Sequence, residues 1–400
     1  MKPPEVVLPP ALKGRLAAGH PWVYRNQIAS LPAVPDGAWV RVRAGNFTSF
    51  GLWENTGQIA IRLFSPHGVP DAAWVLGQVR RAWELRAPLR DQDISAYRWI
   101  FGEADGLPGI TVDLYSAFAV VQMYSAGVTI LLPWLVEALR SVAPLRGIAL
   151  RRREAEAAEG GQVEVERVEG GKIEAVWGKL PPRDLVVQEY GLRFYANLFA
   201  GQKTGLFLDQ RENRRFLESW CQDRTVLNCF SYTGAFSLYA ARGGASSVTS
   251  CDSAPATAEA AAANFALNGF NPHNYAFVVE DCFALLARLA QEGQAFDLVI
   301  LDPPSFAHTK KHIHAALRGY TRLHQLALRC VRPGGLLAAA SCTSYVTPDL
   351  FRQTLSDAAT SVDRRLLILH EAGQPLDHPV PAHFPEGRYL KFVLCAVEKA

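Results

Sequence analysis

The feature that most constrains the fold is a strand-helix alternation that begins near residue 184. Apolar segments at 224–230, 246–252, 275–281, 296–302 and 335–341 alternate with segments of helical spacing near 235–243, 254–268, 282–291 and 318–331. Strands separated by crossover helices form a mostly parallel sheet, because a short hairpin cannot join them. In such a sheet, ligands sit outside the carboxyl ends of the strands. The residues at those ends therefore carry the functional reading.

At 400 residues, the chain is too long for one ordinary core. Residues 1–70 predict short strands, such as 38-AWVRVRA-44 and 58-QIAIRLFS-65, in a locally basic piece that includes Lys13, Arg15 and Arg25. Residues 71–182 predict a small α/β domain. It opens with a helix at 71–86, continues with strands at 110–115 and 117–124, a helix at 130–142 and a strand at 147–152, and ends with strands at 162–169 and 173–178 around Gly170-Gly171. Pro181-Pro182 marks its boundary with a third domain, 183–400, whose last strand is 391-KFVLCAV-397.

Composition narrows the classes. A net charge of +3 excludes a polycation, so any nucleic-acid surface must be local. The seven cysteines form no C-x-x-C pair, and their number is odd; reduced thiols are expected, with no zinc site or other metal site and no disulfide frame. Met1-Lys2-Pro3-Pro4 opens no signal pattern. The uncharged run between Asp113 and Glu137 is interrupted by Gln122, Ser125, Gly127 and Pro133, as befits a strand, a turn and a helix start. A cytoplasmic protein with no membrane segment is expected.

The strand ends carry distinctive residues. The first is followed by 228-NCFSYTGAFSLYAA-241, where Gly234 permits a tight turn before a helix; an ordinary strand-to-helix turn fits equally. The second ends at Asp252, which suits a ribose hydroxyl partner or a helix cap. The third ends at Glu280-Asp281, which suits an adenine amine or another cap. The fourth ends in 302-DPPSFAH-308, a rigid turn suited to holding a flat ligand by an aspartate and backbone carbonyls. The fifth runs into 336-LLAAASCTSYV-346, placing Cys342 on the same edge.

From Pro303 to Pro348 there is no Asp or Glu, while the window carries Lys310, Lys311, Arg318, Arg322, Arg329, Arg332 and four histidines, His308, His312, His314 and His324. A one-sign block beside the Asp-Pro-Pro turn points to a phosphate-facing surface, against the alternative of a solvated helix face. Upstream, 201-GQKTGLFLDQRENRRF-216 places Lys203, Thr204, Asp209 and Arg211 where they could close over a cofactor, or simply lead into a helix.

Taken together, 20-HPWVYRNQI-28, 102-GEADGLPGITVD-113, 203-KTGLFLDQRENR-214, 227-LNCFSYTGAFS-237, 301-LDPPSFA-307 and 341-SCTS-344 resemble the bacterial 23S ribosomal RNA cytosine-C5 methyltransferases that carry an N-terminal PUA domain. The resemblance spans nearly the whole chain. It implies a PUA-like RNA-binding β-barrel at 1–70, with Lys13, Arg15 and Arg25 available to RNA. It also implies a central small α/β domain and a Rossmann-like class I methyltransferase domain that uses S-adenosylmethionine. Asn228, Phe230, Tyr232, Thr233 and Gly234 would line the cofactor. Asp252 and Ser253 would reach its ribose, Asp281 and Cys282 its adenine, and Lys203 to Arg211 its remaining polar groups. Asp302 would lie at cofactor and target base, and Lys310, Lys311, Arg318 and Arg322 would meet RNA.

The same resemblance makes Cys342 the nucleophile. Its thiolate would add to C6 of cytosine and turn C5 into an enamine-like carbon. Asp302 would hold N3 or the exocyclic amine as charge develops. Phe306 and Tyr345 suit base stacking or core packing. The first motif reads Asp302-Pro303-Pro304-Ser305 with no cysteine, whereas the wider cytosine-C5 RNA methyltransferases usually carry a second cysteine in that motif, so the group that assists thiolate release stays open. Three other readings fit less of the sequence: guanine N2 or adenine N6 methylation on the same fold, a non-catalytic RNA-binding assembly factor, and a nicotinamide oxidoreductase lacking G-x-G-x-x-G. The substrate, whether naked 23S RNA or an assembly intermediate, and the choice between monomer and homodimer are left open.

Overall fold

In 39-WVRVRA-44, valines alternate with arginines, and a strand separates the two sets: Val40 and Val42 are fully buried while Arg41 and Arg43 face outward. This strand, β3 (Trp39–Ala44), belongs to a five-stranded sheet with β1 (Glu5–Val7), β2 (Trp22–Tyr24), β4 (Phe47–Trp53) and β5 (Ile59–Ser65), in the order β1-β3-β4-β5-β2. Its apolar side closes on Val6, Leu16, Val23, Trp53 and Ile61. The computed structural model describes residues 2–153, 165–168, 171–199, 206–307 and 309–400. They divide into two compact units. The first is Met1–Glu189 with Ala196–Leu208 and Leu376–Gly387; the second is Tyr190–Tyr195 with Asp209–Pro375 and Arg388–Ala400.

The first unit also holds helix α1 (Ala72–Leu85), capped by Asp71, whose carboxylate accepts from the Trp74 amide at 2.8 Å. A six-stranded sheet follows: β6 (Ala96–Phe101), β7 (Ile110–Tyr115), β8 (Phe118–Met123), β9 (Gly147–Arg153), β10 (Val165–Val168) and β11 (Gly171–Gly178). Helix α2 (Leu132–Val142) makes the crossover between β8 and β9, which are parallel. The uncharged run between Asp113 and Glu137 is thus strand and helix start. No helix among the described residues is long and apolar enough to cross a membrane. The motif 102-GEADGLPGITVD-113 has a structural use here: the fully buried Arg86 makes a bidentate pair with Asp105 at 2.6 and 2.7 Å. The expected Gly170-Gly171 turn lies partly outside the described residues.

The second unit is the expected Rossmann-like α/β layer. It contains α3 (Arg211–Glu218), β12 (Thr225–Cys229), α4 (Ala235–Arg242), β13 (Ser247–Asp252), α5 (Pro255–Leu267), β14 (Ala276–Val279) and α6 (Cys282–Gln291). It continues with β15 (Phe296–Leu301), α7 (Ile313–Arg329), β16 (Val331–Ser341), α8 (Pro348–Ser361), β17 (Arg364–Ala372) and β18 (Lys391–Lys399). The sheet order is β14-β13-β12-β15-β16-β18-β17. The pairs along β14 to β16 are parallel, and β18 runs antiparallel to both its neighbours. Successive strands step outward from β12 on one side and from β15 on the other. The switch point therefore falls between β12 and β15, with the 228–234 and 302–305 loops at its mouth.

Several stretches depart from the sequence expectation, β6 and α8, which it did not name, among them. Helix α7 starts five residues earlier than the expected 318, because Ala315, Ala316 and Leu317 extend it. Strand β16 starts at Val331 rather than 335, with a register shift opposite Phe296 and Leu298. Strand β17, which the alternation did not reveal, is an edge strand with much of its surface exposed, Ile368 and Leu369 included.

Candidate active site

The loop after β12 is held in an unusual backbone conformation. Phe230, Tyr232 and Gly234 all have positive φ, at 60°, 47° and 75°. Only glycine adopts that region without penalty, so the two aromatic residues carry strain that their surroundings must hold. The restraints come from neighbouring strand ends. The Phe230 amide donates to Cys282 Sγ at 3.1 Å, the Ser231 amide to the Cys251 carbonyl at 2.9 Å and the Tyr232 amide to Asp252 Oδ2 at 2.9 Å. The Thr233 carbonyl accepts from Asn264 of α5 at 2.9 Å. Gly234 is required for packing as well as for turning: a Cβ there would meet the Ala261 Cβ at 2.8 Å.

Several expected cofactor residues have a structural duty in this cradle. Asp252 bonds the Tyr232 amide, and the helix cap that follows is Ala254, so Asp252 serves the loop more than the helix. Asp281 is the N-cap of α6 and accepts from the Ala284 amide at 3.0 Å. Cys282 is buried beneath the loop, while Ser253 is exposed beside Asp252. Asn228 is buried, and its Nδ2 donates to Ser237 at 2.9 Å. Its Oδ1 is buried with no hydrogen-bond partner among the described residues. A buried acceptor left over at the mouth of the switch point suits a ligand that brings a donor.

Asp209 and Arg211 are brought to the same unit, both buried; Asp209 accepts from the Tyr389 hydroxyl at 2.6 Å, and Arg211 pairs with Glu212 at 3.1 Å. Lys203, Thr204 and His308 lie outside the described residues. Between Asp209 and Arg211 sits a residue that motif reading missed. Gln210 Nε2 donates to Asp302 Oδ1 at 2.9 Å, and Gln210 Oε1 accepts from Asn213 at 2.6 Å. The second bond fixes which end of the amide faces Asp302.

On the other side of the crevice, hydroxyl groups join the Asp302 loop to the Cys342 loop. The Ser341 hydroxyl donates to Tyr320 at 2.9 Å, Tyr320 and Thr343 are 2.8 Å apart, Thr343 and Ser305 are 3.1 Å apart, and Ser305 donates to the Ala307 carbonyl at 3.2 Å. Tyr320 accepts from Ser341 and so donates onward; Ser305 donates to Ala307 and so accepts from Thr343. The chain runs in one direction with each proton assigned. Burial pushes the Tyr320 phenol up to about 12, so it stays neutral in this chain. Ser305, in the motif that holds no cysteine, therefore ties the two loops together.

Cys342 differs from the other six cysteines, which are buried while it is half-buried. Burial pushes the Cys221 and Cys395 thiols up to about 12 and Cys330 up to about 11. Cys251 is raised by its hydrogen bond with Cys282, and Cys282 chiefly by its hydrogen bond with Cys229. These thiols are inert packing groups. Beside Cys342 lies Lys391, a second residue the motifs did not reveal. It is 3 % exposed, and its Nζ donates to the Thr343 carbonyl at 2.6 Å and the Tyr389 carbonyl at 2.8 Å.

The residues of the basic window divide between surface and core. Lys310, Lys311, Arg318 and Arg322 are exposed, the two arginines one turn apart on α7. His324 is a correction: it belongs to the apolar face of the same helix, is 1 % exposed and sits 3.3 Å from Thr354 Oγ1, so it meets no phosphate. Phe306 packs on Tyr320 with ring centroids 4.6 Å apart, whereas Tyr345 is exposed. In the first unit Lys13 is exposed. Arg15 bonds His20 and Glu386, and Arg25 is tied to the carbonyls of Glu54, Thr56 and Gly57. Among the described residues no cluster of His, Cys, Asp and Glu could hold a metal ion.

Residues 170–372 match a family of S-adenosylmethionine-dependent methyltransferases, and residues 6–66 match a PUA-like domain. The chain is 36 % identical over 391 residues to the ribosomal RNA large subunit methyltransferase I of Aeromonas salmonicida, covering 95 % of this chain and 96 % of the relative. It is 36 % identical to the protein of that name from Cronobacter sakazakii, covering 96 % and 98 %. Among solved structures, a methyltransferase with SAH bound superposes with a TM-score of 0.86 at 24 % identity, covering 98 % of this chain and 100 % of the other.

Proposed function

The chain belongs to the S-adenosylmethionine-dependent methyltransferases and carries a PUA-like domain, and from that premise we propose that it methylates C5 of a cytosine in 23S ribosomal RNA through a covalent bond between Cys342 and C6 of the base. The observation that carries this reading is the position of Cys342. It alone of the seven thiols is not buried, it ends the strand next to Asp302, and hydroxyl bonds lock the two loops together. The names of the relatives, which match nearly the whole chain, support ribosomal RNA as substrate.

S-adenosylmethionine supplies an electrophilic methyl group. The 228–234 loop, Asp252, Asp281 and the Asp209–Arg211 segment would hold it, and the unsatisfied Asn228 Oδ1 would accept from a donor on that cofactor. Cys342 attacks C6 and makes C5 nucleophilic. Asp302, oriented by Gln210, faces N3 and the exocyclic amine and takes up the charge change there. The target base leaves its stack to reach this crevice. The exposed Lys310, Lys311, Arg318 and Arg322 hold the phosphates around it, whether the RNA is naked or part of an assembly intermediate. The division into 1–70, 71–182 and 183–400 assigns RNA capture, a central scaffold and chemistry to successive parts.

The test is Cys342→Ala with undermethylated 23S RNA and methyl-labelled S-adenosylmethionine. Loss of turnover by about a thousandfold or more is expected, with cofactor affinity unchanged. Mass spectrometry of the digested RNA should give 5-methylcytosine. A methylated guanine or adenine amine, or an active alanine variant, would overturn the covalent mechanism.

A further inference from the structure

Lys391 is a buried ammonium at the edge of the reactive loop. Strand register pairs it with Ser341, the residue before Cys342. Two of its three N–H donors go to the carbonyls of Thr343 and Tyr389. Carbonyl dipoles solvate a cation in part, but a lysine is rarely this buried without a countercharge. The charged groups around it identify that countercharge. Arg388 opposes its charge and Cys342 favours it. Asp209, on the segment leading into α3, accepts from the Tyr389 hydroxyl, and Asp302 accepts from Gln210; neither carboxylate acts on the Lys391 charge, which Cys342 favours. On α7, Tyr320 stays neutral; on β17, Glu371 is held by Arg352.

We propose that Lys391 is the positioning residue of the thiol: its ammonium holds Cys342 as a thiolate before RNA arrives and again when the thiolate leaves. The proposal rests on the reading of Cys342 as nucleophile. It also supplies what the absent second cysteine leaves open. On release, the C5–H electron pair forms the C5–C6 double bond, the proton passes to water, and the C6–S electron pair returns to Cys342. A thiolate stabilised by an adjacent ammonium is the better leaving group. Burial lowers the Lys391 pKa to about 8, so the ion pair is lost as pH rises past that value.

The experiment measures alkylation of Cys342 by iodoacetamide against pH in the full-length protein, followed by peptide mass spectrometry; the other six thiols are buried. In the unmodified protein, the Cys342 profile should fall at least about one unit below the ordinary thiol near 8.5. Lys391→Met should return it to the ordinary value or higher and slow alkylation at pH 7 about tenfold. Lys391→Arg should keep most of the shift. A profile at the ordinary value in the unmodified protein overturns the proposal even if Lys391→Met fails to fold. So does an unchanged profile in a folded Lys391→Met. An active Cys342→Ala would instead sink the nucleophile reading, and the two failures are told apart because alkylation needs no RNA.

Discussion

The two loops at the mouth of the switch point are built by different means. The loop after β12 is shaped by its backbone: three of its residues have positive φ, and amides at Phe230, Ser231 and Tyr232 pin it to neighbouring strand ends. The Asp302 and Cys342 loops are instead joined through side-chain hydroxyls on Ser305, Tyr320, Ser341 and Thr343. A methyl donor that is spent and replaced at every turnover is met by a preformed cradle of fixed backbone polarity. On the proposed mechanism, a base that enters, bonds to sulfur and departs calls for side chains aligned to about half an ångström by their own partners. The first design is sensitive to backbone changes, the second to loss of single oxygen atoms.

The largest expected effect concerns the support beneath the hydroxyl chain. Helix α7 carries both Tyr320 and His324, and burial lowers the His324 pKa from 6.5 to about 4. The folded state keeps His324 neutral while the unfolded chain takes up a proton below 6.5. Stability is therefore unaffected above that value and falls as pH drops from 6.5 towards 4, by roughly 3 kcal/mol from this group. His324→Gln should flatten that limb of a denaturation-against-pH curve. An unchanged slope would show that His324 is not the group responsible and that this side is less dry than its packing indicates.

The next effect belongs to the backbone-built side. Gly234→Ala faces both a φ of +75° and a Cβ contact with Ala261 at 2.8 Å. A loss of about 2 kcal/mol in stability is expected, together with at least tenfold weaker S-adenosylmethionine binding by calorimetry. Thr343→Val follows. It keeps the shape and removes the oxygen that joins Tyr320 to Ser305. We expect about 1.5 kcal/mol of destabilisation and a tenfold or greater fall in methyl transfer, with cofactor affinity within twofold. If the two variants exchanged phenotypes, the division between the loops would be broken.

Much of this was legible before any coordinates. Asp252, Asp302 and Cys342 stand at the carboxyl ends of strands whose alternation with helices is plain, and β15 and β16 are neighbours as that alternation implied. The missed residues share a physical reason. Gln210 lies 92 positions from Asp302, and Lys391 lies 48 from Thr343. Neither has a local pattern that announces its partner: Gln210 ends a loop of ordinary polarity, and Lys391 opens an apolar strand where a charge looks like a solvated end. His324 misled because charge counting along the sequence ignores the 3.6-residue period that turns it inward. The strain at Phe230 and Tyr232 was invisible because aromatic side chains give no hint of positive φ.

The smallest expected effect is the sharpest test of the backbone argument. Tyr232 has a φ of 47° and its amide donates to Asp252, so its backbone conformation is part of what the cradle uses. In Tyr232→Gly, relief of left-handed strain, worth about 1 kcal/mol, opposes the greater entropy of the unfolded chain and the lost ring packing. Stability should therefore change by less than about 1 kcal/mol in chemical denaturation. Cofactor affinity should fall only severalfold, because the amide and its Asp252 partner remain while preorganisation weakens. Tyr232→Ala, which keeps the strain and loses the ring, separates the two contributions. If alanine and glycine destabilise equally, the ring packing holds this loop and the backbone follows it; if alanine is the worse by about 1 kcal/mol, the backbone conformation is the element that the surrounding strand ends enforce.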